Sequence, residues 1–274
     1  MRELIVRVLI ENTVTSKGLL AEHGLSFYIR KDSQSFIFDS GQGLGLKNNI
    51  RQLGLNLRNV SSVILSHGHY DHTGGVGVLL EANPNLTFRG HLDLLNKKYK
   101  VQGNEFIEIG IPHEIKNQIS ENIIFNTETV EIEDCIFLSG ELPYGIFKNQ
   151  EGIFKIWNDE YVEDTFRDEQ VLYIKTPQGL VVFSGCSHNS ITLTLQHIKR
   201  ITGEKIYAVM GGFHLNGLKD EEIIKIVREM EKLEVEFFGL CHCTGLKAFC
   251  LFKQKFKEKV FACPVGTEIN LLTL

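Results

Sequence analysis

Apolar and polar positions along the chain alternate between two patterns. Short apolar runs bounded by Gly, Asn, Asp or Ser predict strands over Leu4 to Ile10, Leu25 to Arg30, Ser35 to Phe38, Val60 to Leu65, Val171 to Lys175, Leu180 to Ser184, Ile206 to Met210 and Val235 to Leu240. Shorter strands are expected over Leu86 to Phe88, Ile123 to Asn126, Thr129 to Ile132, Cys135 to Leu138 and Ile269 to Leu272. Between them, apolar residues recur at helical spacing from Leu44 to Leu53, Val76 to Glu81, Ser190 to Ile201, Lys219 to Leu233 and Leu246 to Phe256. In the fourth of these, Ile223, Ile226, Val227 and Met230 form one apolar face. Strands alternating with helices predict an α/β fold, whose sites tend to lie at the C-terminal ends of strands.

Two stretches carry weaker signals. From Leu92 to Ile119 the pattern offers a lysine cluster (Lys97, Lys98, Lys100), read as a solvated face or a contact for an anionic group, and Ile107, Ile109 and Ile111 alternating like a strand. From about 141 to 170, aromatics (Phe147, Phe154, Trp157, Tyr161, Phe166) mix with acidic residues without clean periodicity. That segment reads either as a lid or pocket-wall insertion or as an ordinary hairpin packing its rings on the core.

Composition narrows the setting. The chain has 274 residues, enough for one large domain spanning 1–274, with 43% hydrophobic and 23% charged residues, as in soluble globular proteins. A net charge of -5 leaves no electrostatic footprint for a nucleic-acid partner. No stretch has the apolar length of a membrane helix, and Arg7 interrupts an N-terminal segment that lacks a cleavage site, so a cytoplasmic protein is expected. Six scattered cysteines then read as free thiols.

The chemistry concentrates in Ser66-His67-Gly68-His69-Tyr70-Asp71-His72-Thr73-Gly74-Gly75, directly after the Val60 to Leu65 strand. Neutral imidazoles and ionised carboxylates both bind metals at pH 7. Ligands this close cannot all converge on one tetrahedral ion, so the spacing suits two ions, His67 and His69 facing one, Asp71 and His72 the other. Asp39, at the exit of a buried strand, is expected either to cap a turn or to hold the ligand loop. His23 lies in a loop next to Gly24, and His214 follows a strand and two glycines. His23 reads as structural or as lining the site, and His214 as a substrate-binding or proton-transfer residue set against a structural one. No motif surrounds His91, His113 or His197. A zinc knuckle from Cys241 and Cys243 is a poor alternative, because residues two bonds of sequence apart with one between would serve one ion badly.

The ordered set "FIFDSG", "SHGHYDHTGG", "DEQVLYIKTPQGLVVFSGCSH", "GGFHL" and "CHCTG" resembles the metallo-β-lactamase superfamily over nearly the whole chain. Within it, the set resembles the branch named after 7,8-dihydropterin-6-methyl-4-(β-D-ribofuranosyl)aminobenzene 5′-phosphate synthase of methanopterin biosynthesis. The resemblance implies an αββα sandwich with two divalent cations between the sheet edges, zinc by default and iron or manganese as alternatives. It makes Asp39 a positioning residue and His242 a ligand on the side of Asp71 and His72. The sequence departs from the family pattern twice. Glu141 stands where a third-motif histidine is usual, and could ligate, orient water or end a strand. Cys186 stands where an aspartate bridges the metals, and His188 is then the residue expected to supply the missing imidazole beside His67 and His69. The implied activity is that of a metal-dependent hydrolase or transferase acting on a phosphorylated small molecule, with Asp71 and His214 as catalytic groups. The two departures also support a catalytically silent metal-binding or redox-sensing module. Oligomeric state is not legible.

Overall fold

The computed structural model describes residues 1–145 and 152–274. Phe147 lies outside the described residues.

The chain builds two seven-stranded sheets, the first from residues 4–125 with one C-terminal strand added at its edge. The first, in spatial order, contains Glu268–Asn270, Leu4–Ile10, Ser26–Lys31, Gln34–Phe38, Val60–Ile64, Thr87–Gly90 and Ile123–Phe125. The second contains Val260–Ala262, Phe237–Leu240, Ile206–Gly211, Gly179–Ser184, Leu172–Thr176, Ile136–Leu138 and Val130–Glu133. Each joins antiparallel hairpins to a block of parallel strands, and Val60–Ile64 and Gly179–Ser184 both lie in a parallel block.

Burial on both faces explains why these strands read as continuous apolar runs. In Gly179–Ser184 every residue is buried, yet alternate side chains enter different cores. Val181 and Phe183 join Phe27, Phe38, Ala208 and Met210 between the sheets, while Leu180 and Val182 face Ile191, Leu195, Ile198, Met230 and Phe252 under the helices Ile191–Thr202, Asp220–Lys232 and Leu246–Phe256. On the other side, Ile37, Val63 and Leu65 pack under the helices Leu46–Gln52, Val76–Ala82 and His113–Ile119. The result is the expected αββα sandwich. Each fully buried Phe or Leu in these layers contributes about 1.5–3 kcal/mol.

The weak stretches are where expectation and structure part. A third, four-stranded sheet orders Glu160–Glu163, Phe154–Asn158, Lys98–Gln102 and Glu105–Glu108. The strand expected around Ile107 to Ile111 ends at Glu108, and His113 begins the helix His113–Ile119. Lys98 is not on a solvated face. It is 1% exposed, and its ammonium meets Asp164 at 2.7 Å and Asp168 at 2.9 Å.

Candidate metal centre

The ligand loop hangs on Asp39. Its carboxylate accepts from the Ser66 backbone N–H at 2.7 Å and the Ser66 hydroxyl at 2.8 Å, and meets His72 Nδ1 at 2.7 Å. Ser66 Oγ in turn lies 2.9 Å from His67 Nδ1. With Nδ1 of each ring engaged, Nε2 of His67 and His72 is turned toward the site. Between the two loop histidines, Gly68 is required by space, since a Cβ there would meet Leu94 O at 2.2 Å. The Gly68 N–H donates to Asp168 at 2.7 Å.

The second half of the site follows Gly179–Ser184. Glu169 accepts from the backbone N–H groups of His188 and Asn189 at 2.7 and 2.8 Å, fixing that turn. Burial pushes the Glu169 carboxyl up to about 7, against the pull of those two donors. The His188 ring stacks on Phe166, with centroids 4.1 Å apart and planes 1° from parallel. Its ring nitrogens join those of His67 and His69 in a group whose donor atoms all lie within 4.8 Å of one another. Burial holds all three imidazoles well below their usual pKa, and so neutral.

Asp71 centres a second group. His23 Nε2 lies 3.2 Å, His242 Nε2 3.4 Å and His72 Nε2 3.8 Å from its Oδ2. Burial pushes the Asp71 carboxyl up, but these histidines outweigh it and hold it well below the usual range, as an anion. Cys186 Sγ lies 3.2 Å from His72 Nε2, between the two groups. His242 is anchored by its N–H to Glu11 at 2.8 Å and by Nδ1 to Asn12 at 2.9 Å. Asp39, Ser187, His214 and His242 all hold left-handed backbone, φ +58°, +60°, +51° and +50°. Non-glycine residues in that region cost energy and cluster where function positions them.

The donor set suits divalent cations. Both ring nitrogens of His188 and Nε2 of His69 are buried without a hydrogen-bond partner, a state that native interiors rarely tolerate and that coordination relieves. The site opens to a cavity of about 340 Å³ lined by His23, Lys100, Phe154, His214, Asn216 and Cys243 among others. Glu141 is not there. It pairs with Arg167 at 2.8 Å, approaches His91 at 3.4 Å and lines a different depression with His197.

Comparison with known proteins bears on this geometry. Residues 20–194 match the sequence profile of the Metallo-beta-lactamase superfamily. The chain belongs to that superfamily. Within it, the chain is 32% identical to the 7,8-dihydropterin-6-methyl-4-(beta-D-ribofuranosyl)-aminobenzene-5'-phosphate synthase of Methanocaldococcus jannaschii, over 87% of this chain and 86% of that protein. It is 30% identical to an uncharacterized protein of the same organism, over 91% of this chain and 94% of the other. A solved structure described as a metal-dependent hydrolase of the beta-lactamase superfamily superposes with a TM-score of 0.83 at 33% identity, covering 97% of this chain and 98% of its own. The likeness to the synthase thus spans most of both chains.

Sequence reasoning missed Asp168, Glu169, Lys98 and Cys243. The available signal was Asp168-Glu169 standing just ahead of the apolar run Val171 to Ile174, where an acid drawn toward the interior must either be paired or be gripping backbone.

Proposed function

We propose that this superfamily member is a metal-dependent hydrolase or transferase that uses two divalent cations, zinc by default, on a phosphorylated small molecule. The observation that carries the reading is a three-imidazole group (His67, His69, His188) set beside a group centred on Asp71 with His72 and His242, Cys186 lying against His72. Cations held there supply Lewis acidity that offsets negative charge on a phosphate or pyrophosphate oxygen.

The protein's own groups do the rest. Asp39 and Ser66 fix the His67 and His72 rings, and Glu169 fixes the His188 turn. Lys100 on the cavity wall offers a positive charge to an anionic substrate, and Phe154 an apolar face. His214 and His23 reach the same space from opposite loops, His214 as a proton-transfer or substrate-binding group. The hairpin containing Phe154–Asn158 serves as the pocket wall. The relative's name supports making an aminobenzene ribosyl phosphate linked to a dihydropterin; a joining step in which pyrophosphate leaves would build negative charge that bound cations offset. A small molecule, rather than nucleic acid or membrane, is the proposed partner, and no helix among the described residues is long and apolar enough to cross a membrane. The cytoplasm is the proposed compartment.

The test is metal content by elemental analysis, together with turnover of a generic phosphodiester and of the synthase pair, before and after stripping with chelator and after His67→Ala. Activity that survives complete stripping would end the reading. A protein that holds metal yet turns over none of these substrates would instead support the silent or redox-sensing module, which the proximity of Cys243 to Cys186 favours.

A further inference from the structure

Three neighbouring parallel strands of the second sheet each deliver one donor to a single point that neither ligand group above uses. Ser184, Gly211 and Leu240 are aligned by the strand pairing, and the loops directly after them carry Cys186, His214 and Cys243. Cys186 Sγ, Cys243 Sγ and a ring nitrogen of His214 lie within 4.8 Å of one another. Tetrahedral bonds of about 2.3 Å to sulfur and about 2.0 Å to nitrogen would put such atoms roughly 3.5–4 Å apart, so only a slight closure is needed.

Local structure is shaped around the convergence. Gly212 has no Cβ, and one placed there would stand 2.5 Å from Cys243 Sγ. The His214 N–H donates to that sulfur at 3.3 Å, and the sulfur lies 3.5 Å from Cys186 O. His214 itself holds φ +51°, a backbone state that turns its ring back over the strand ends beside His188, 4.2 Å between centroids. By contrast Cys241, two residues before Cys243, belongs to the core between the sheets with Cys263, so the local pair of cysteines does not chelate. All three donors line the cavity.

We propose that Cys186, His214 and Cys243 form a further, sulfur-rich cation position with its remaining coordination site open to the cavity. Two thiolates and an imidazole select thiophilic divalent cations, zinc or cadmium, against magnesium or manganese. Cys186 is then a shared ligand, touching His72 on one side and the new position on the other. Two cysteines, one histidine and an open site is an arrangement suited to a cation that meets substrate, not only to a structural one. The proposal rests on the reading that this cavity holds cations, and its test separates the two.

The full chain is stripped, loaded with cobalt(II), and scanned for sulfur-to-cobalt charge transfer in the near ultraviolet, as wild type, Cys243→Ser and His214→Ala. The expected result is a strong band in wild type that falls by about half in Cys243→Ser, with less cobalt bound in both variants. Cobalt bound with no sulfur band, or a band unchanged in Cys243→Ser, overturns the sulfur-rich position while leaving the histidine groups intact. No cobalt bound at all overturns both. Because the variants can disturb the fold, wild-type crystals loaded with zinc supply the second measurement. An anomalous peak among Cys186, His214 and Cys243 supports the site, and peaks confined to the groups of His67 and Asp71 refute it.

Discussion

Glu169 grips His188 by its backbone, not its ring, accepting the His188 N–H at 2.7 Å. Asp168, next in sequence, accepts from Gly68 at 2.7 Å, and the Gln170 N–H donates to Ser66 O at 2.9 Å. One short run therefore ties the loop carrying His67 and His69 to the turn carrying His188. Glu169→Ala should weaken metal binding about 10–100-fold, the usual cost of losing a group that orients ligands. Metal-free stability should fall by about 2–3 kcal/mol. Glu169→Gln, keeping one acceptor, should lie between. Chelator competition and urea unfolding read the two effects separately.

Lys98 is the only buried cation holding Asp164 and Asp168 among the described residues. Burial pulls its pKa down, but the two carboxylates outweigh this and raise it, so it stays charged. Lys98→Met leaves both acids buried without a counter-charge, at a cost of about 3–5 kcal/mol of unfolding free energy, read from urea unfolding. Lys98→Met with Asp164→Asn should recover part of that. A single mutant as stable as wild type would show that the pair adds nothing.

Acidification should destabilise the metal-free chain. His67, His69 and His188 have folded pKa values depressed by burial, against about 6.5 unfolded. The unfolded state thus binds more protons below that value, and the stability these groups carry is complete above about 6.5 and lost as pH falls. Glu169, raised to about 7, acts with the opposite sign between about 4.3 and 7, but as one group against three. His72, raised by Asp39 and Asp71 against the effect of burial, also acts with the opposite sign as pH falls toward about 6.5, and adds no slope once pH is well below that. Unfolding free energy should drop from pH 7 to 5, with a shallower drop in His188→Ala. A flat profile would mean these rings are solvated.

Glu141→Ala serves as a contrast. Its carboxylate is 38% exposed and paired with a surface arginine, so the change should stay within about 0.5 kcal/mol and leave metal content intact. Asp71→Asn, at the centre of the second group, should lower metal content. Equal effects would show that Glu141 acts on the centre in a way its position does not explain.

Strands and helices with strong periodicity were legible because burial on two faces leaves long apolar runs, as in Gly179–Ser184, and amphipathic helices such as Asp220–Lys232 show one apolar face. His67, His69, Asp71 and His72 were legible because one loop carries them all. Lys98 was not, because a buried lysine and a solvated one look identical until its partners, far along the chain, are placed. In sequence Cys243 reads as half of a pair with Cys241, and local spacing hides its approach to Cys186 across neighbouring strands. The family pattern points Glu141 at the site, and the chain turns its side chain toward Arg167 instead.

His242 reaches Asp71 from near the far end of the polypeptide, while Glu11 and Asn12 near its beginning hold His242 in place. An ion seated there fastens three remote parts of the chain at once, so it must let go before any of them can come apart. At a thousand times its dissociation constant such an ion would add about 4 kcal/mol against unfolding. Metal scarcity would then shorten the molecule's lifetime, and the amount of protein present would track the supply.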